Sequence, residues 1–364
     1  MRILHTEAST GWGGQEIRIL DESAGFITRG HDVRIAAPAE APIIGAAKRR
    51  KIQTYELPLD RRTPGSVRAL QSIFKEFSPD IVVTHSSSDS WLSALATKIL
   101  RNKPSIVRLR HLSTPVSAGF ANRWLYGRAP ARIVTTGEII RTMLIERLNL
   151  DPAKVVSVPT GTDLARFKPG DKVAARRALR LPENEPIIGI VATLRSWKGH
   201  RFLVSAMNDP VLRRARLVIV GDGPQEPILQ TQIQEAGLSE RVQLVGKHDD
   251  VPLWLQAFDV FALPSTGNEG VPQALMQAMA CAVPVVTTDA GAIPELARDG
   301  ENALIVPKES VPELAAAIGR ILNDQVLRTR LADAGRREIE RKHSTKQMLD
   351  AMETVFREAT GRRR

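Results

Sequence analysis

The chain has 364 residues, of which 43% are hydrophobic and 25% charged. These values exclude a disordered, collagenous or repeat polymer, and the length exceeds what one hydrophobic core usually serves, so two domains of about 150–200 residues are expected. Lys and Arg total 51 against 40 acidic residues, a formal net charge of +11, which suits phosphorylated substrates, anionic lipid or nucleic acid without selecting among them.

The excess is uneven. Residues 1–165 hold 23 basic and 15 acidic side chains, and the remainder holds 28 and 25. No apolar run approaches ~18 residues, and the start MRILHTEAST has no long apolar segment, so neither a membrane span nor a signal peptide is expected. The single Cys281 excludes an intramolecular disulfide framework and a cysteine-built zinc site. The expected compartment is the cytoplasm.

In chain order, residues 2–6 read as a first strand and GWGG at 11–14 as a turn. Residues 15–29 carry Ile17, Leu20, Ala24 and Ile27 at intervals of three or four, an amphipathic helix closed by Gly30. With a strand at 33–37 this makes a βαβ unit of the doubly wound kind. The apolar stretch 36–47 ends in Lys48, Arg49, Arg50 and Lys51. That segment is either a contact for anionic headgroups or an ordinary solvated patch. Further strands are expected at 81–84, 106–110, 133–136 and 155–158. The alternation pauses over 159–186, then resumes with strands at 187–192, 217–220, 242–245, 260–263 and 283–287 and helices that include 272–280. The expected domains are therefore residues 1–165 and 166–345, followed by 346–364. Met348, Ala351, Met352, Val355 and Phe356 mark a last amphipathic helix docked on one of them, and the final Gly-Arg-Arg-Arg is expected to fray.

Open parallel sheets bind ligands beyond the carboxyl ends of their strands, which directs attention to the loops there. The GWGG loop is neither the dinucleotide GxGxxG nor a P-loop; it is an anion site or a tight turn, with Glu16 as a first-turn dipole partner. His111 closes the run VRLRH, where an imidazole can meet a substrate hydroxyl or serve structure alone. Arg108 and Arg110 are candidates for phosphate. The histidines at 5, 31, 85, 200, 248 and 343 form no metal-ligand spacing, and Asp249-Asp250 reads as a helix cap. In ATLRSWKGH, Arg195 and Lys198 are two cations able to stabilise a departing diphosphate. GDGP at 221–224 reads as an architectural turn. In PSTGNEGVP at 264–272, Glu269 is the sole carboxylate and can accept hydrogen bonds from sugar hydroxyls.

Taken together, GWGG, His111, PTGTD with Phe167, KG at 198–199, GDGP, NEGVPQALMQAMA at 268–280 and DAGAIPE at 289–295 resemble the retaining, nucleotide-sugar-dependent glycosyltransferases of family GT4. The resemblance spans essentially the whole chain. It implies the GT-B fold, α/β with two Rossmann-like doubly wound domains facing a central cleft, the first for acceptor and the second for nucleotide sugar. By the same resemblance His111 contacts the transferred sugar, Lys198 and Arg195 neutralise the diphosphate, and Glu269 contacts the donor sugar. Gly13, Gly14, Thr193, Asn268, Gly270, Val271 and Gln277 fall on donor- or acceptor-binding positions. Two positions depart from the family pattern. Thr193 stands where an arginine is usual, and Gln277 replaces a second glutamate that typically holds ribose hydroxyls; an amide bonds a diol without charge assistance.

The implied reaction moves a sugar from a nucleotide-diphosphate sugar to a hydroxyl of a glycan or lipid-linked acceptor with retention, in lipopolysaccharide or other cell-envelope synthesis. No cofactor is expected, the nucleotide sugar being substrate, and metal is not required. A peripheral position on the cytoplasmic face of the inner membrane would use the basic first domain. The alternatives are a nucleotide-sugar 2-epimerase on a similar frame, and a non-catalytic nucleotide-sugar- or nucleic-acid-binding protein; no nucleic-acid reading motif is present, so no nucleic-acid partner is expected. The sequence does not specify an oligomeric state.

Overall fold

A computed structural model describes residues 1–111, 113–267 and 269–361. Contacts divide the chain into two compact units, Met1–Gly161 together with the segment from Thr345 on, and Thr162–Ser344.

The first unit holds a seven-stranded parallel sheet. Its strands are β1 (Arg2–Thr6), β2 (Asp32–Ala37), β3 (Gln53–Glu56), β4 (Ile81–Thr84), β5 (Ser105–Arg110), β6 (Arg132–Thr135) and β7 (Val155–Ser157). They lie in the order β3-β2-β1-β4-β5-β6-β7, every pair parallel. Strand order reverses between β1 and β4. Loops leaving the carboxyl ends of those two strands part to opposite faces, which opens a crevice there. The strands are near-continuous apolar runs because helices cover both faces. Ile81, Val82 and Val83 of β4 are fully buried.

The second unit repeats the plan with six strands: β8 (Ile187–Val191), β9 (Arg216–Val220), β10 (Val242–Gly246), β11 (Val260–Leu263), β12 (Val285–Thr287) and β13 (Leu304–Ile305). Their order is β10-β9-β8-β11-β12-β13, so the reversal lies between β8 and β11. One contiguous core serves the unit, from Phe167 to Ile339.

The terminal helix Thr345–Thr360 belongs to the first unit. Met348, Leu349, Met352, Val355 and Phe356 are buried in one cluster with Ile3, Phe26, Ile81 and Val107. Arg29 pairs with Asp350 at 2.7 Å and Glu353 at 3.1 Å. The chain thus returns to its first sheet after completing the second.

Several expectations differ from this picture. Residues 162–165 join the second unit rather than the first, because the Thr162 amide donates to the His343 carbonyl at 2.7 Å and Thr162 bridges Ser344. Strands β3 and β13 are not among the expected strands: QTYE has no apolar run to announce it, and LI is a two-residue strand within the short run ALIV; both are edge strands ordered by pairing to β2 and β12. The apolar stretch 36–47 is not offered to lipid. It forms the end of β2 and the helix Pro42–Arg49, whose Ile43, Ile44, Ala46 and Ala47 are buried. Within the basic cluster that follows, Lys48 pairs with Glu56 at 2.7 Å and Arg50 with Asp21 at 2.6 Å. Helix Val251–Ala257 does begin after Asp249-Asp250, but the Asp250 side chain makes no capping bond.

Phe356 is fully buried in the first unit's core. Phe356→Ala is expected to destabilise that unit by about 3–5 kcal/mol. Hydrogen exchange should register the loss in β1, β4 and β5 while protection of β8 and β9 is unchanged; equal loss in both units would mean that the helix supports both.

Candidate active site

The carboxyl-end loops of β8 and β11 are tied together in the second unit. After β8, the Leu194 amide donates to the Asp222 carbonyl at 2.8 Å and the Gln225 amide to the Leu194 carbonyl at 3.0 Å. The GDGP turn therefore clamps the segment that carries Thr193 and Arg195. Gly199 follows at φ +77°, and a Cβ there would stand 1.9 Å from the Pro264 carbonyl oxygen, so only glycine permits this approach of the two loops. The Thr266 amide donates to the Trp197 carbonyl at 2.8 Å. The DAGAIPE loop adds a third wall, since the Ala292 amide donates to the Glu269 carbonyl at 3.1 Å.

These ties bring Lys198 and Glu269 into direct contact. Lys198 Nζ lies 2.7 Å from Glu269 Oε1 and 2.9 Å from Oε2, and the Ser265 hydroxyl donates to Oε1 at 2.6 Å. Glu269 is 4% exposed and the Lys198 side chain 20%. The pair is charge-neutral, and opening it would leave a buried carboxylate partly uncompensated. Arg195 is exposed and makes no ion pair among the described residues; its guanidinium lies 5.9 Å from the Trp197 ring centroid. Thr193 and Gly270 are partly exposed, Val271 is buried, and Gln277 is half-buried on helix Gln273–Ala280. Asn268 lies outside the described residues.

In the first unit, Gly13 is the N-cap of helix Gly14–Thr28 with extended backbone, φ −175°, and a Cβ on it would meet nothing closer than Glu16 Oε2 at 3.7 Å. Fold geometry therefore does not demand glycine at 13. The buried Glu16 carboxyl already lies against these amides. Burial raises its pKa, while hydrogen bonds from the Glu16 and Gly13 amides and the Ser9 hydroxyl oppose that rise. A second carboxyl, Glu7, is fully buried at the end of β1, receiving the Ser9 amide at 2.8 Å and the Gln15 amide group. Burial first, and then the neighbouring Asp89, push Glu7 up to about 8. Asp89 accepts from the Thr6 and Ser86 hydroxyls and the His85 and Ser86 amides.

Beside this acidic group the carboxyl ends of β1, β4 and β5 align three histidines. His5 Nδ1 and His85 Nε2 are 3.0 Å apart, as are His85 Nδ1 and His111 Nε2. His5 and His85 are buried and His111 is partly exposed. Burial holds all three below the ordinary imidazole value, His5 at about 3. Arg108 and Arg110 are not free to meet phosphate. Arg108 is buried against Tyr126, with its NH2 donating to the phenol oxygen at 3.0 Å, and Arg110 donates to the Thr114 carbonyl and hydroxyl. Cys281 is buried and pushed up to about 12 by burial, which removes it as a nucleophile. Among the described residues no group of three or more His, Cys, Asp or Glu is placed to hold a metal ion.

Sequence reasoning singled out His111 but set His5 and His85 aside for want of a ligand spacing. A signal was present: His85 immediately follows an apolar strand, as His111 does, and His5 lies one residue before the end of another. Glu7 carried none, because a carboxyl two residues past a histidine says nothing about burial.

Residues 12–166 match the family model described as Glycosyltransferase Family 4, and residues 185–324 match that described as Glycosyl transferases group 1. The chain belongs to glycosyltransferase family 4. Within the family it is similar to the D-inositol 3-phosphate glycosyltransferase of Saccharomonospora viridis, 30% identical over 63% of this chain and 56% of the relative. It is also similar to the UDP-Gal:alpha-D-GlcNAc-diphosphoundecaprenol alpha-1,3-galactosyltransferase of Escherichia coli, 26% identical over 72% of this chain and 71% of the relative. The chain spans about half the length of the first curated relatives it matches. The Anabaena HepE structure solved with UDP-glucose shares its fold, with a TM-score of 0.85 and 22% identity over 98% of this chain and 99% of that one. The two Rossmann-like units are those of the GT-B fold.

Glu7 supplies a pH test. Its folded-state pKa is raised, so the native state keeps a proton between the ordinary 4.5 and about 8 that the unfolded chain has lost, and its contribution to stability falls as pH rises through that window. Glu7→Gln should therefore gain stability over the parent at pH 8 relative to pH 5, by at most about 1.4 kcal/mol per pH unit. Urea unfolding at the two pH values measures it; an equal difference at both would mean that Glu7 is ionised in the fold.

Proposed function

We propose that the chain is a retaining glycosyltransferase that takes a sugar from a nucleotide-diphosphate sugar held by the second unit. It delivers that sugar to a hydroxyl of a glycan or lipid-linked acceptor bound by the first. The observation that carries the reading is the Lys198–Glu269 pair at the strand reversal of the second unit, with Arg195 unpaired beside it. A cation of this kind stabilises the charge that develops on a leaving diphosphate, and a fixed carboxylate beside it accepts hydrogen bonds from sugar hydroxyls. The first unit is unsuited to diphosphate, since Glu16 occupies its glycine-loop amides and Glu7 and Asp89 lie behind them. That acidic surround favours a neutral, hydroxyl-bearing group at Gly13, Gly14 and His111.

The bond from the anomeric carbon to the diphosphate oxygen breaks, and its electron pair leaves with the phosphate. The acceptor oxygen attacks from the same face and forms the new glycosidic bond. Its proton passes to the departing phosphate oxygen. Lys198 and Arg195 hold the diphosphate as its charge grows, Glu269 orients the sugar, and Gln277 takes the position of a ribose contact without a charge. Thr193 and Gly270, both partly exposed, complete the donor surface.

A lipid-linked acceptor at the cytoplasmic membrane face is supported by the name of the Escherichia coli relative, which states a diphosphoundecaprenol acceptor. A second support is on the first unit itself. Lys98 lies 4.8 Å from the Trp124 ring centroid, and the flanking Ile99 and Phe120 are 76% and 86% exposed. No helix among the described residues is long and apolar enough to cross a membrane, so association there would be peripheral. Phe120→Ser is expected to lower co-sedimentation with anionic vesicles at least threefold; unchanged binding would remove this patch from the proposal.

Calorimetry with UDP, GDP, ADP and CDP tests the donor half. One nucleotide should bind selectively, and Lys198→Ala should weaken it tenfold or more, as loss of a charge-assisted contact requires. Incubation with the matching nucleotide sugar alone should leave the sugar's configuration unchanged, whereas conversion to its 2-epimer would establish the rival enzyme. Absence of binding to all four nucleotides would overturn the transferase reading.

A further inference from the structure

The three histidines of the first unit form an ordered series rather than three separate side chains. His5 sits within β1, His85 follows β4, and His111 follows β5, so neighbouring strands deliver them side by side. Ring planes of successive members lie within 20° and 28° of parallel, with centroids 5.3 Å apart in each case. Each junction joins Nδ1 of one ring to Nε2 of the next at 3.0 Å.

This geometry couples the tautomers. A neutral imidazole has one N–H donor and one lone-pair acceptor, and burial keeps these rings neutral. If His85 carries its proton on Nε2, it donates to His5 Nδ1 and must accept on Nδ1 from His111 Nε2–H. If it carries the proton on Nδ1, both bonds reverse. The row therefore has two states, every ring Nε2–H or every ring Nδ1–H. They differ at the outer end, where His111 Nδ1 is an acceptor in the first state and a donor in the second.

The inner end breaks the tie. His5 Nε2 has no hydrogen-bond partner and faces Glu22 Oε1 at 4.0 Å. Glu22 Oε2 is 3.4 Å from Arg18 Nε, and both side chains are fully buried. Arg18 is anchored by the Val158 carbonyl at 2.8 Å and the Thr160 hydroxyl at 3.3 Å. A buried guanidinium needs its counter-ion, and Arg18 opposes the rise that burial imposes on the Glu22 carboxyl. A carboxylate facing His5 Nε2 favours an N–H there over a lone pair. Arg110, the other charge near His111, is held on Thr114 and does not reach the inner end.

We propose that His5 and His85, biased by Glu22, are positioning residues that hold His111 as its Nε2–H tautomer, so that Nδ1 meets the substrate as a hydrogen-bond acceptor for a sugar hydroxyl. The substrate contact of His111 rests on the transferase reading; the tautomer does not. The row explains why two buried histidines, which touch no substrate, stand behind a partly exposed one. It also implies that the hydroxyl at His111 donates rather than accepts, so a donor sugar lacking that hydroxyl or carrying an ether there would lose the contact.

Nitrogen-15 NMR of the full chain labelled at histidine separates the two tautomers, and each variant identifies one signal by its disappearance. At pH 7, His5, His85 and His111 are expected as neutral Nε2–H forms. In His85→Phe, which keeps a flat ring and removes both bonds, His111 should relax to a mixture of tautomers; His5→Phe should shift the balance at His85 and His111 in the same direction. An Nδ1–H or mixed His111 in the parent, or a His111 unchanged in His85→Phe, would overturn the proposal. Once a donor is known, His85→Phe should lower kcat/KM for transfer at least tenfold while nucleotide affinity stays within twofold. A parallel loss of both would indicate a merely structural role. Because the spectra need no substrate, they decide the row even where transfer itself is not found.

Discussion

Two reversals of strand order, between β1 and β4 and between β8 and β11, are the constraint on which the chemistry of this protein depends. A parallel sheet directs all its strand ends to one edge, and a reversal parts the connections so that side chains from distant sequence can meet there. Glu7, His85 and His111 reach one such edge, and Lys198 and Glu269 reach the other. Neither group would exist if the neighbouring strands were joined in simple succession.

The two edges differ in charge logic. In the second unit the pairing is ionic: a lysine rests on a carboxylate next to an uncommitted arginine, and a Cβ at Gly199 or at Gly291 (φ +56°) would stand 1.9 or 2.1 Å from the Pro264 or Glu269 carbonyl oxygen, too close for other residues. In the first unit the polar groups are buried and bond largely to one another, with His5 Nε2 left without a partner. Glu7 retains a proton that an exposed carboxyl would lose, Asp89 is saturated with donors, and the histidines are neutral. This edge can orient hydroxyls but has little capacity for a diphosphate. The net basic charge of the first unit is therefore a property of its surface and not of its interior edge.

Family 4 membership and the GT-B fold were legible because they rest on the order of short motifs and on local periodicity. Lys198 and Glu269 were legible as individuals, from KG and NEGVP. Their contact was not, since 71 positions separate them and only the close approach at Gly199 makes it. Arg108 and Arg110 misled for a related reason. Both are cations at a strand end, but the buried Tyr126 and the half-buried Thr114 claim them before a ligand can. The apolar stretch ending at Lys48 misled because hydrophobicity does not say whether lipid or a neighbouring helix will cover it.

The sequence by itself determined the alternation of strands and helices, the two-domain plan and the loops that carry chemistry, because apolar period and glycine placement act over a few residues. Tertiary structure alone decided that the terminal helix returns to the first sheet. It also strung His5, His85 and His111 into one hydrogen-bonded row. Those outcomes depend on burial and on contacts between strands 26 and 80 residues apart. No local pattern records such distances, since they are set only when the sheet closes.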